Sequence, residues 1–238
     1  MTVVLVAHGT RDPRGVDMVG RLAADIAARR GEEVAVSFVD VLGPSPSELL
    51  GSLPPGPVTL LPAFLARGHH VRVDIPRHVR GAGREVRLAQ PLGPSRLLAR
   101  ALHDRLAEAG TTCNGAVVLA AAGSADPRAQ RDVETVARLL SARLAAPVHI
   151  AFASTPADSP HPSVTDAVAE ARRRTGGPVA VASYLLADGL FQRRLDDSGA
   201  DVVARPLGLA GPVIELACHR IDVAEALFTR RSPVDSRA

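Results

Sequence analysis

The stretch VVLVAHGTRDPR, residues 3–14, decides the fold prediction. It begins with five apolar residues, which is typical of a strand that is buried on both faces of a parallel sheet. Asp12 followed by Pro13 indicates a helix start, because Asp caps free backbone amides and Pro fits the first helical position. The stretch therefore predicts a strand, a glycine turn and a helix in close succession.

This strand–turn–helix pattern occurs twice in the chain. GTRDPR at residues 9–14 returns as GSADPR at residues 123–128, which is 114 positions later (from 9 to 123), and it again follows an apolar run. Three further pairs of segments match in the same order: Phe38 with Phe152, PSPSE (44–48) with PSVTD (162–166), and PAFLARG (62–68) with SYLLADG (183–189). Such ordered self-similarity indicates two homologous halves, joined near residues 110–112.

Each half has a pattern of alternating strands and helices. In the first half we expect strands near 3–7, 34–40, 57–65 and 84–89, and helices near 14–29, 45–52, 70–80 and 95–109. Such alternation predicts parallel sheets with right-handed crossovers. The predicted fold class is therefore α/β, with two similar open parallel-sheet domains. We place the first half at residues 1–112, the second at 113–228 and a disordered polar tail at 229–238.

The composition limits the function classes. Hydrophobic residues make up 46% of the 238 residues and aromatic residues only 3%, so the core must be aliphatic. The net charge is +3, all 28 basic residues are Arg, and neither a long basic run nor a set of stacking aromatic residues points to nucleic acid. Two distant cysteines, Cys113 and Cys218, support neither a disulfide scaffold nor a zinc site. Without a signal peptide or a membrane-spanning run, we expect a soluble cytoplasmic monomer or homodimer.

Candidate metal ligands follow three consecutive strands of the first half. His8 comes directly after the first predicted strand, Asp40 ends the second, and His69-His70 follows the third, with Asp74 one turn further on. Ligands of open parallel sheets bind beyond the carboxyl ends of the strands. Imidazole and carboxylate together suit a divalent first-row metal. The sequence therefore predicts a metal site at this edge of the first sheet.

The second half lacks these candidate ligands. Its matching positions replace the whole set: His8 by Ala122, Asp40 by Ser154 and His70 by Phe191. Residues needed for the scaffold would be expected in both copies, so their joint loss indicates a single active site in the first half. An alternative is that the turn at Gly9 binds a phosphate or nucleotide at a helix N-terminus, although it lacks the Lys and glycine spacing of a P-loop.

Two motifs of the first half resemble a known family. VAHGTRDP (6–13) is similar to the opening H-G-S-R-D-P of class II chelatases of the CbiX/SirB type, the sirohydrochlorin cobalt- and ferrochelatases. PAFLARGHHVRVDIP (62–76) resembles their P-x-F-L-x-x-G-x-H-x-x-x-D-I-P segment. The resemblance spans both halves. One departure is LGPS (42–45), where relatives often have A-E-P-S, so a carboxylate is missing here.

The resemblance implies a lyase that inserts a divalent metal into sirohydrochlorin or a closely related tetrapyrrole, in cobalamin or sirohaem biosynthesis. The metal substrate would be Co²⁺ or Fe²⁺, with Ni²⁺ a further candidate, and no other cofactor is implied. It assigns His8 and His70 to metal binding and proton removal. Asp40 falls where relatives often have an acidic residue, and His69 occupies a variable position. A non-catalytic metal or tetrapyrrole carrier is the alternative within the same family.

The tetrapyrrole itself suggests a further set of binding residues. Phe64 and Leu65 would support the flat apolar ring, and Phe191 of the second half is a further candidate for this support. Sirohydrochlorin carries many carboxylates, and guanidinium groups bind carboxylates in a bidentate manner. The expected anchors are four arginines near the two motifs: Arg11, Arg14, Arg67 and Arg72.

Overall fold

Two four-stranded parallel sheets organise the chain, one in each half. The computed structural model describes residues 2–111, 115–155 and 159–231. The first half contains strands β1 (Thr2–Ala7), β2 (Glu33–Phe38), β3 (Val58–Pro62) and β4 (Val86–Leu88), and helices α1 (Pro13–Arg30), α2 (Pro46–Ser52), α3 (Ile75–Arg80) and α4 (Arg96–Glu108). Its strands are arranged in the order β2-β1-β3-β4.

The second half repeats this arrangement. It contains strands β5 (Ala116–Ala121), β6 (Val148–Phe152), β7 (Val179–Tyr184) and β8 (Val202–Val203), and helices α5 (Pro127–Leu144), α6 (Val164–Thr175), α7 (Leu190–Asp196) and α8 (Gly211–Arg231). The strand order, β6-β5-β7-β8, is the same as in the first half, which confirms the predicted α/β fold of two similar parallel sheets. Within the described residues, no helix is both long and apolar enough to cross a membrane.

The first helix of each half starts as its Asp-Pro pair predicts. The Asp12 side chain accepts a hydrogen bond from the backbone N–H of Arg14, and Asp126 does the same for Arg128. Each capped helix packs an apolar face on its sheet; in α1 this face is Val19, Leu22, Ala23 and Ile26. Aliphatic residues from both halves, including Leu102, Val136 and Leu216, belong to one continuous buried cluster. The halves therefore share a core.

The observed elements differ from the expected ones in several places, and β3 and β4 are shorter than the strands expected at 57–65 and 84–89. Strand β2 ends at Phe38, so Asp40 lies in the loop beyond it. The helix expected at 70–80 begins as a π-helical segment, His70–Asp74, before α3. Helix α8 continues to Arg231, so the first part of the expected disordered tail at 229–238 is helical. Residues 232–238, Cys113 and the expected boundary at 112–113 lie outside the described residues, while Cys218 is a buried free cysteine.

Glycine turns bring the ends of the first two strands of each half together. Gly9 has φ of 102° and Gly123 has φ of 108°, a region that residues with a side chain rarely adopt. A Cβ on Gly9 would lie 2.0 Å from the carbonyl oxygen of Asp40, and one on Gly123 would lie 1.9 Å from that of Ser154. The backbones pass so closely that only glycine fits, and Asp40 and Ser154 occupy equivalent places.

We expect Gly9→Ala and Gly123→Ala each to lower the free energy of unfolding by about 2–4 kcal/mol, from the strained φ and the overlap with the neighbouring carbonyl. Gly20→Ala is the matched control, because Gly20 lies within α1 with nothing within 4 Å of its added Cβ. It should stabilise the protein by up to about 1 kcal/mol, through higher helix propensity. Urea unfolding followed by circular dichroism measures the free energy of unfolding of all three variants. Parent-like stability of both Gly9→Ala and Gly123→Ala would contradict the close approach of the backbones at these turns.

Candidate active site

A cleft between the two halves lies beyond the carboxyl ends of the central strands. It has a volume of about 620 Å³ and its surface is mostly apolar. Both halves contribute side chains to it, among them Phe38, Ala63, Phe64 and Leu65 from the first half, and Val133, Phe152, Tyr184, Leu185 and Phe191 from the second. His8 and His70 also line the cleft, so an apolar cavity opens beside two imidazoles.

The structure brings the three predicted metal residues together. One ligand atom from each of His8, Asp40 and His70 lies within 4.8 Å of the others. His8 directly follows β1, Asp40 lies two residues beyond β2, and His70 begins the π-helical segment after β3. The His8 and His70 rings meet nearly at right angles, with their centroids 4.7 Å apart. Such a group has the spacing and the donor types to hold one divalent cation.

Hydrogen bonds orient both imidazoles. The Nδ1 atom of His70 lies 2.7 Å from Oδ2 of Asp74, and Nδ1 of His8 lies 3.3 Å from the carbonyl oxygen of Gly9. Both partners are acceptors, so each Nδ1 carries the proton as donor. The lone pair of each neutral ring is then on Nε2, which is available for a cation.

Asp40 is held by a strained turn. Oδ1 of Asp40 accepts a hydrogen bond of 2.8 Å from the backbone N–H of Val41, which leaves Oδ2 without that partner. The backbone N–H of Leu42 donates to the carbonyl oxygen of Asp40 at 2.7 Å, and Val41 between them has φ of 67°. A β-branched residue at positive φ is rare, and such outliers cluster at functional sites.

Phe64 lies where the sequence places it, beside the imidazoles. Its ring centroid is 6.4 Å from that of His8 and 6.2 Å from that of His70, and the ring lines the cleft. His69 differs from His70 in its surroundings. Its side chain is 70% exposed, and its Nε2 atom lies 3.6 Å from Oδ1 of Asp74. His69 is not a member of the three-residue ligand group.

The four predicted arginine anchors divide into two kinds. Three of them already pair with aspartates: Arg14 with Asp12, Arg67 with Asp132 and Arg72 with Asp126. Arg11 is exposed and has no hydrogen bond or ion pair with any residue that the structure describes. The structure therefore leaves Arg11 as the one predicted anchor without a carboxylate partner inside the described ranges.

Two arginine–aspartate pairs cross between the halves in a reciprocal way. Arg72 donates to Asp126 at 2.8 Å, and Arg193 donates to Asp12 at 3.1 Å. Both arginines follow the third strand of their own half, and both aspartates cap the first helix of the other. Hydrogen bonds from Arg14, with a further one from Arg193, hold the pKa of the Asp12 carboxyl well below its usual range.

A buried contact ties the loop before His70 to the second half. The carboxylate of Asp132, which is only 2% exposed, accepts hydrogen bonds from the backbone N–H of Arg67 at 2.8 Å and from its Nε at 2.9 Å. The Tyr184 hydroxyl donates to the carbonyl oxygen of Leu65 at 2.6 Å, and burial raises the pKa of this phenol. The loop that leads to His70 is therefore held in place by the second half.

The CbiX family model matches residues 2–109 and again residues 116–223. The chain belongs to the CbiX family. The two matched ranges are the two halves of the internal repeat, so each half of this CbiX protein is a copy of the family's unit.

Three relatives illustrate the similarity. A sirohydrochlorin cobaltochelatase from Methanothermobacter thermautotrophicus is 28% identical over 131 residues, which is 45% of this chain and 91% of that relative. The structure of SirB from Bacillus subtilis with Fe³⁺ has a TM-score of 0.79 and 21% identity, and covers 97% of both chains. A CbiX structure, described as the terminal enzyme of sirohaem biosynthesis in denitrifying bacteria, has a TM-score of 0.68 and 22% identity over 98% of this chain and 100% of its own. The two structures establish the shared fold.

Sequence reasoning about this CbiX chain missed the partners of the site. Asp74 was noted one turn after His70 but was given no role, although a spacing of four residues on a helix brings two side chains together. The contacts of Asp132 with Arg67 and of Asp12 with Arg193 had no signal in the sequence, because each joins residues that are far apart in the chain. The strained turn at Val41 also had no signal in the sequence, because the position with positive φ is not a glycine.

We expect Arg67→Ala to lower the free energy of unfolding by about 2–3 kcal/mol, because it removes the side-chain partners of the buried Asp132 carboxylate. Arg14→Ala is the matched control. Its ion pair with Asp12 is largely solvated on the arginine side, so its loss should destabilise the protein much less than the loss of Arg67 does. Equal unfolding midpoints for the two variants in urea would contradict a structural role for the Arg67–Asp132 pair.

His8→Ala and His70→Ala should each weaken Co²⁺ binding at least tenfold, which corresponds to about 1.4 kcal/mol. Asp40→Asn should weaken it less, because the variant keeps a neutral oxygen ligand. Calorimetric titration of the protein with Co²⁺, without tetrapyrrole, measures these affinities. His219→Ala is the control, since His219 is exposed on α8 and outside the ligand group. The metal assignment is wrong if both cleft variants bind Co²⁺ as tightly as the control does.

Proposed function

We propose that this CbiX protein is a sirohydrochlorin chelatase, which inserts a divalent metal ion, Co²⁺ or Fe²⁺, into sirohydrochlorin with release of two pyrrole protons. One observation carries the proposal: two imidazoles and a carboxylate converge within 4.8 Å beside an apolar cleft of about 620 Å³. The family match, and a relative named as a sirohydrochlorin cobaltochelatase, support sirohydrochlorin as the tetrapyrrole.

The metal residues suit an ion that must leave again. His8 and Asp40 are exposed and His70 is half-buried, so a cation here would keep open coordination positions toward solvent and the cleft. Three ligands of mixed type hold a first-row ion less rigidly than a closed four-ligand site. Two imidazoles and one carboxylate accept either Co²⁺ or Fe²⁺, and cobalt and Fe³⁺ are the ions named with the two SirB structures.

The cleft suits the tetrapyrrole. Its volume lies in the usual range for sites that enclose small molecules, and its apolar walls would gain free energy by covering the faces of a flat ring. Phe64 belongs to this wall and lies beside both imidazoles, so a ring bound against it would bring its central nitrogens near His8 and His70. The peripheral carboxylates would stay near the open mouth, and the exposed Arg11 directly follows Thr10, which lines the cleft.

The same imidazoles can receive the protons. Insertion exchanges two N–H protons of the macrocycle for one divalent cation, so charge and atoms balance when two protons leave. As the ion passes from His8 and His70 to the ring nitrogens, the two Nε2 lone pairs that held it become free. Neutral imidazole is a suitable base near neutral pH, so each released lone pair can accept one proton.

An anaerobic absorbance assay of Co²⁺ and Fe²⁺ insertion into sirohydrochlorin tests the proposal. The parent should metallate the ring, and His8→Ala and His70→Ala should each lower kcat by about 100-fold or more, since each removes a ligand and a base. His219→Ala should keep the parent rate.

Two results would overturn parts of the proposal. Binding of both sirohydrochlorin and metal by the parent, without insertion, would make the protein a carrier. Parent rates in both His8→Ala and His70→Ala would show that insertion occurs at a different place.

A further inference from the structure

Helix α7 carries exposed apolar side chains into the cleft. Leu190 is 55% exposed and Phe191 is 38% exposed, and both line the cavity. All five phenylalanines of the chain lie in the described ranges, and Phe191 is the exposed one. Exposed apolar surface of this kind, inside a concave site, is typical of a surface that a ligand covers.

The internal repeat explains where this ring lies. Gly189 and Phe191 occupy in the second half the places that Gly68 and His70 occupy in the first. The segment after the third strand brings His70 to the cleft in the first half, and the matching segment of the second half brings an aromatic ring to the same cleft. This position has lost its metal donor and gained a flat apolar face.

Arg194, which has no acidic partner among the described residues, lies beside the Phe191 ring. The guanidinium carbon of Arg194 lies 5.7 Å from the centroid of Phe191, and Nη1 donates to the carbonyl oxygen of Ala153 at 3.1 Å. Arg194 has no ion pair with any residue in the described part of the chain. Its remaining N–H groups can therefore bind a carboxylate in the fork geometry that guanidinium groups favour.

Helix α7 is fixed in place by its other side chains. Arg193 pairs with Asp12 of the first half at 3.1 Å. The buried Gln192 accepts a hydrogen bond from the Ser183 hydroxyl at 2.7 Å and donates to Asp196 at 2.8 Å. Phe191 and Arg194 are thus held on a rigid support before any ligand arrives, which lowers the entropy lost on binding.

We propose that Phe191 and Arg194 position the tetrapyrrole substrate: the Phe191 ring packs against one face of the macrocycle, and Arg194 binds one of its peripheral carboxylates. The proposal rests on the proposed chelatase function and adds two substrate-binding residues from the half that has no metal ligands. A flat apolar ring with carboxylates at its rim is complementary to an aromatic face with a guanidinium group beside it.

The test separates binding of the ring from binding of the metal. Fluorescence titration with sirohydrochlorin in the absence of metal gives its Kd, insertion kinetics with Co²⁺ give KM and kcat, and calorimetry gives Co²⁺ affinity without the tetrapyrrole. Phe191→Ala should weaken sirohydrochlorin binding about tenfold, and Arg194→Gln about threefold to tenfold, in line with usual aromatic and charged contacts. KM should rise with Kd, and Co²⁺ affinity should stay at the parent value.

Matched variants control for general damage. Phe191→Tyr keeps the aromatic face and should bind sirohydrochlorin nearly as the parent does. Phe228→Ala removes another phenylalanine that has an arginine, Arg87, 4.7 Å over its ring, but Phe228 does not line the cleft and its loss should leave sirohydrochlorin binding unchanged.

The outcomes distinguish this inference from the proposed function. Parent-like Kd and KM in both Phe191→Ala and Arg194→Gln, with an active parent, would overturn the inference and leave the chelatase function standing. A fall in Co²⁺ affinity equal to the fall in sirohydrochlorin affinity would also overturn it, because α7 would then act on the metal residues. A parent that neither binds nor metallates sirohydrochlorin would overturn both.

Discussion

The packing of the two halves against each other is the constraint on which the site depends: their aliphatic side chains share one buried cluster, and reciprocal arginine–aspartate pairs join them near the cleft. Arg72 reaches the helix cap Asp126, and Arg193 reaches the equivalent cap Asp12. Each pair joins the segment after the third strand of one half to the turn after the first strand of the other. Ligands of parallel sheets bind at these places, beyond the carboxyl ends of the strands. The contacts that join the halves therefore also fix the edges that form the cleft, and the cleft exists only because both halves are present.

The second half supports the candidate site, although the three predicted metal ligands all belong to the first half. Asp132 and Tyr184 hold the loop at Leu65 and Arg67, a few residues before His70. Of the three predicted metal residues, His8 and Asp40 are exposed and His70 is half-buried, and all three would have considerable freedom on isolated loops. Rigid support from a neighbouring layer is the usual way to keep such groups in position. The second half thus holds in place part of a candidate site whose predicted donor atoms all belong to the first half.

The sequence was sufficient for the fold and for the convergence of the three candidate metal ligands, and insufficient for the contacts between the halves. The repeat and the alternation of apolar strands with capped helices are local patterns, and the structure has both. His8, Asp40 and His70 could be brought together because the edge rule for parallel strands needs only their order in the chain. No comparable rule predicts which acidic group an arginine side chain will contact. Whether Arg67 meets Asp132 or a substrate carboxylate depends on a neighbour 65 residues away, which only the packing of the halves decides.

The proposed function places two conflicting demands on one cleft, which would account for the loss of symmetry between the halves. Residues that deliver a metal must bind it weakly and remain accessible, as the exposed His8 and Asp40 are. Residues that position a large ring must present a fixed face, as a helix held by Arg193 and Gln192 can. A single set of side chains cannot satisfy both, because rigid burial of the donors would oppose release of the ion. A duplicated scaffold can, since equivalent positions such as His70 and Phe191 are free to differ while the order of strands in the two sheets stays the same.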